Sequence, residues 1–186
     1  MMMSACNCNP FMKEWTLDGG YPPFDKIRVS DYVPAVKEGI KQQAAEVDAI
    51  VANAEAPTFE NTVAAYELSG KLLAKTLGVL YNVSESDATP QMQEVMDEVP
   101  TLVTAASDNI FMNPGFFARV KAVLDNAEVL DREQYVVTKK LYDSFIDNGV
   151  ALGEAEQARF KEISSELAVL QQKFGNNLLA ESNAFK

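Results

Sequence analysis

Residues 31–67 read DYVPAVKEGIKQQAAEVDAIVANAEAPTFENTVAAYE, and this stretch contains two helices with a break between them. Ser30-Asp31 offers capping oxygens, and Pro34 falls in the first turn, where its missing N–H costs little, so a helix is expected from about Asp31 to Ala54. Its apolar positions Val36, Ile40, Ala44, Val47, Val51 and Ala54 recur every three or four residues. Ala56-Pro57 ends that pattern, and Thr58 caps a second helix with the apolar stripe Phe59, Val63, Tyr66, Leu73, Leu77 and Leu80. So short a connection predicts antiparallel neighbours, each supplying the apolar face that the other must bury.

On the N-terminal side, Tyr21-Pro22-Pro23-Phe24 cannot enter a helix interior and forms an entry loop. On the C-terminal side, Thr89-Pro90 opens a third helix through Met92, Val95, Met96, Leu102, Val103 and Ile110, with a kink expected at Pro100. Asn113-Pro114-Gly115 is a turn that leads into a short fourth helix carrying Phe116, Phe117, Val120, Val123 and Leu124. Asp131 caps a fifth, which runs through Tyr135, Val136, Leu141, Tyr142 and Phe145 until Asn148-Gly149 stops it. The last begins near Gly153, and its narrow stripe of Phe160, Ile163, Leu167, Leu170, Phe174 and Leu178 suits packing along another long helix. No alternating strand pattern competes. The expected fold is all-α, a bundle or array of about six helices with antiparallel helical hairpins. Residues 1–20 read as a flexible leader and 21–186 as one helical domain, with the stripes of Leu, Phe and Tyr as its core.

The 186 residues are 47% apolar and 23% charged, which suits a folded domain. No apolar run approaches the roughly 18 to 20 residues that a membrane-crossing helix needs. The formal net charge of −11 repels phosphate backbones, so no nucleic-acid partner is expected. Histidine is absent altogether, which removes Ser-His-Asp triads, Cys-His pairs and His-rich zinc sites from what this chain assembles by itself. No catalytic, cofactor-binding or metal-ligating residue is assigned.

Glu94 shares a helix face with Asp97 and Glu98, as does Glu162 with Glu166, but carboxylate di-iron bundles also need Glu-x-x-His motifs, so these read as solvated faces. Between Lys75 and Arg119 there is no basic residue, while Glu85, Asp87, Glu94, Asp97, Glu98 and Asp108 all fall there. That stretch reads as an exposed acidic face, or as a surface that meets basic segments or the amino ends of peptides. Asn82-Val83-Ser84 fits the glycosylation pattern and carries no argument without a host that uses it. Both cysteines, Cys6 and Cys8, lie in the leader MMMSACNCNP. Three readings stand open: an inert tail, the remnant of a bacterial lipoprotein signal with Cys6 as the lipidated residue, and a soft-metal or redox pair. The second would anchor the protein in the cell envelope rather than leave it in the cytoplasm.

Asn9-Pro10-Phe11, then PPFDKIRVSDYVPAVKEGI from Pro22 to Ile40, PTFENTVAAYE from Pro57 to Glu67, and LQQKFGNNLLAESNAF from Leu170 to Phe185 together resemble the N-terminal region of the M3 family of zinc metallopeptidases. This is the group of thimet oligopeptidase, oligopeptidase A and peptidyl-dipeptidase Dcp, and the likeness is nearest to the bacterial Dcp branch. The resemblance implies a longer parent enzyme whose His-Glu-x-x-His motif and downstream glutamate hold zinc; none of those residues is in this chain. It further implies a non-catalytic N-terminal domain that forms part of the wall of a channel admitting short peptides. The catalytic domain of the same parent chain would be its partner, and C-terminal dipeptides the product. The competing expectation is a free-standing helical module that binds a protein partner. A peptidase fragment should expose an apolar face where the rest of the enzyme packs.

Overall fold

The structure, a computed structural model, describes residues 9–184; the Cys6 and Cys8 readings lie outside the described residues. Among those residues the chain is all-helical, with six long α-helices and no strand. They are α1 (Val29–Ala52), α3 (Lys71–Ser86), α4 (Pro90–Phe111), α5 (Pro114–Asp125), α6 (Arg132–Asp147) and α7 (Glu154–Ala184), with α2 (Ala65–Glu67) a single short turn. The caps expected at Thr58, Thr89 and Asp131 hold, each accepting a backbone N–H from the first turn that follows, and Asn113, read as part of a turn, caps its helix in the same way.

Helix α1 begins two residues earlier than expected. Asp31 acts inside it, its carboxylate accepting the Arg28 N–H at 2.8 Å, so Pro34 sits in the second turn rather than the first. Helix α4 runs unbroken across Pro100. Its neighbour Val99 is fully buried, and packing on that face holds the helix together where one backbone hydrogen bond is lost.

The second predicted helix is in fact divided. A π-helical turn, Phe59–Ala64, leads into α2, and the chain then turns at Gly70, whose φ of 64° is left-handed, before α3 starts. The Gly70 N–H donates to the Glu46 carboxylate at 2.7 Å, which pins the break against α1. Apolar spacing continues across this interruption, and spacing alone had joined the two pieces. The antiparallel partner of α1 is therefore α3. The two approach so closely that a Cβ on Gly39 would come within 2.8 Å of the Leu73 backbone.

Helices α1 and α4 lie side by side in the same direction, joined by the Lys37–Glu98 ion pair at 2.7 Å. They span two buried apolar clusters. In the first, Phe11, Tyr32, Val36, Leu80, Met92 and Val99 meet. In the second, Val47, Val63, Phe116, Val120, Leu141 and Phe145 meet, with Phe116 stacked edge-on against Phe145 at 5.2 Å. Phe11 is 0% exposed, and Asn9 and Pro10 are buried beside it, so within the expected leader over residues 1–20 the turn Pro10–Met12 and Trp15 pack against the first cluster, while Leu17, Gly19 and Gly20 are exposed. Asn9 secures this by donating to the Asp31 carbonyl at 2.8 Å and accepting from the Phe11 N–H. A short polar-flanked segment carries no periodicity, which is why its burial was not visible.

Candidate interaction surface

Helix α7 is 31 residues long and runs antiparallel to α4: Lys161 donates to Asn109 near one end and Asn176 donates to Asp97 near the other, at 3.0 and 3.3 Å. Its start is fixed by the Glu156 carboxylate, which accepts the Gly153 N–H at 3.0 Å. The face turned to α4 is small and polar. Ala168 is its one buried apolar side chain, flanked by the half-buried Ser164, Ser165, Gln172 and Asn176.

The apolar stripe points elsewhere. Of the predicted stripe, Phe160 is half-buried, while Ile163, Leu167, Leu170, Phe174 and Leu178 are between 49% and 70% exposed, although their spacing had assigned all six to packing along another long helix. Residues 163, 167, 170, 174 and 178 fall on one side of a helix with a 3.6-residue turn, and Ala168 and Gln172 on another. Small side chains let α7 approach α4, and the large ones are left facing solvent. Covering each would contribute on the order of 1 kcal/mol.

The carboxylates singled out in the sequence are dispersed. Glu98 is paired with Lys37 and Glu162 with Arg159, Asp97 faces Asn176, and Glu94 remains exposed. The stretch without lysine or arginine thus receives its cations from α1 and α7. Among the described residues no group of three or more acidic or sulfur side chains comes together as a metal site. With no histidine in the sequence, the described residues offer no donor set that fits zinc. Asp108 is 4% exposed; burial pushes its carboxyl above the usual range, and the nearby Lys161 ammonium partly opposes that.

Two features were not read from the sequence. One is a cleft of about 510 Å³ between the Pro10–Met12 turn, α1 and α3, lined by Lys13, Glu14, Glu38, Gln42, Lys71 and Lys75 among others. Lys75 closes one edge, donating to the Lys13 carbonyl and lying 4.9 Å over the Trp15 ring. The lining places no nucleophile beside a base.

The other is a polar node under the π-helical turn. Arg119, 8% exposed, donates to the carbonyls of Asn53 and Glu55 and to Asn61 Oδ1 at 2.8, 3.2 and 3.0 Å. Asn61 in turn donates to the Ala56 carbonyl and accepts the Thr58 N–H. An arginine inside the apolar stripe Phe116–Val120–Val123 was the available signal. The node is structural, holding the PTFEN segment against α5.

No family model matches the chain. It is 33% identical to the dipeptidyl carboxypeptidase of Salmonella typhimurium over 178 residues, which are 95% of this chain and 26% of that protein. The identity to the dipeptidyl carboxypeptidase of Escherichia coli is 32% over the same length. Oligopeptidase A of Salmonella typhimurium is 23% identical over 92% of this chain and 25% of its own length. The chain spans about a quarter of the length of the curated relatives it matches. Along nearly all of its own length, this all-helical chain is similar to dipeptidyl carboxypeptidases and oligopeptidases A.

Proposed function

We propose that the chain is the non-catalytic N-terminal helical domain of a zinc peptidyl-dipeptidase of the M3 type, and that it forms part of the wall of a channel admitting short peptides. The observation that carries this reading is the match over 95% of the chain to dipeptidyl carboxypeptidase, together with a composition that contains no histidine. The catalytic domain of the same polypeptide supplies the zinc-binding histidines and the glutamate that activates water. This chain supplies packed helices of fixed geometry. Its acidic surface around Glu85, Asp87 and Glu94, all exposed, attracts the amino ends of peptides more than their carboxylates.

The test is product analysis with the longer polypeptide that carries this chain. Incubated with unblocked oligopeptides, it is expected to release C-terminal dipeptides, and a chelator to stop the release. Cleavage confined to internal bonds would move the assignment to the endo-acting oligopeptidases. No chelator-sensitive cleavage at all would remove it and leave the free-standing binding module.

A further inference from the structure

The unusual feature of α7 is which way it faces. A helix that belonged to this domain alone would turn Ile163, Leu167, Leu170 and Phe174 toward α4 and leave its serines and glutamines in water. The reverse is found: Ala168 is buried while Leu170 and Phe174 are 53% and 70% exposed. Beyond Ala168 no described side chain of α7 is buried, yet the helix continues to Ala184. Helical segments of that length in water are marginal without packing. Such a helix is built to lie between two bodies, with small side chains permitting close approach to one and large ones filling the other.

We infer that the stripe Ile163–Leu167–Leu170–Phe174–Leu178 is the seam on which the remainder of the parent peptidase docks, through an apolar helix face laid along α7. This rests on the proposed function. Two observations favour that occupant over a second copy of the chain. The relatives extend to about four times the aligned length, since 178 residues are 26% of dipeptidyl carboxypeptidase, which supplies ample chain to cover the stripe. Each copy also carries a net charge of −11, which opposes self-association at low ionic strength. An antiparallel self-pair centred between Leu167 and Leu170 would set Ile163 opposite Phe174 but place Leu178 opposite Arg159, leaving it without an apolar partner, so the experiment is arranged to detect it. The partner face we expect is rich in Leu, Ile, Val and Phe, with a basic residue at the edge that meets the exposed Glu166.

The experiment compares Leu170→Glu/Phe174→Glu in two settings, the longer polypeptide and the isolated 186-residue chain, by thermal melting and sedimentation. The inference expects the melting temperature of the longer polypeptide to fall by several degrees and that of the isolated chain to stay unchanged. An unchanged melt of the longer polypeptide overturns it, as does an equal fall in both. An isolated chain that sediments as a dimer, which the double variant dissociates, would assign the stripe to a second copy if the longer polypeptide is unaffected. Peptidase activity is scored separately. A longer polypeptide that lacks it but is still destabilised would refute the proposed function and leave the seam standing.

Discussion

Arg119 shows how one side chain can hold two elements. It is nearly fully buried and is matched to carbonyl oxygens rather than to a carboxylate. Two of its three partners, the carbonyls of Asn53 and Glu55, lie just past the C-terminal end of α1, where the helix dipole is negative and a cation is stabilised. Asn61 completes the fork and carries the π-helical turn with it. Replacing Arg119 by Met removes these charge-assisted bonds, so urea denaturation should show a loss of about 2 to 3 kcal/mol. Lysine at this position should recover only part of the loss, because an ammonium cannot reproduce the planar fork. The importance of Arg119 was half visible in the sequence: a cation among Phe116, Val120 and Val123 is out of pattern, but its partners lie more than fifty residues away and no local rule finds them.

At the scale of elements, what could be read was whatever is local. The capping residues Thr58, Thr89, Asn113 and Asp131 and the spacing of the apolar positions locate the long helices to within a few residues. The interruption at Gly70 was lost because apolar residues recur on both sides of it. The orientation of α7 was lost for a different reason: periodicity reveals that a helix has an apolar face but not which body that face meets. The α4–α7 contact carries a pH signature through Asp108. Its folded pKa is raised by burial, so the folded state holds the proton more tightly than the unfolded chain. The resulting stabilisation is full below the unfolded value near 3.8 and is lost as pH rises through the folded value. Asp108→Asn, which stays neutral, should therefore gain stability relative to wild type as pH increases toward neutrality. Below the unfolded value the two should denature alike, and denaturant midpoints across that range check this.

For the whole molecule, α1 and α4 form a spine through two apolar clusters, and α7 lies along α4 with its large side chains uncovered. No helix among the described residues is long and apolar enough to cross a membrane, and the exposed stripe on α7 is interrupted by polar positions throughout. The fold was legible because it depends on helix signals. The exposed apolar stripe on α7 was legible only as an expectation that some apolar surface would remain uncovered. On the proposed reading this chain supplies packing surfaces and geometry, and the hydrolytic chemistry belongs to the rest of a longer polypeptide. The most direct test is to supply the purified 186-residue chain with zinc and oligopeptides, then measure bound metal and cleavage with and without a chelator. The account predicts no stoichiometric zinc and no turnover; chelator-sensitive hydrolysis that copurifies with the chain would contradict it.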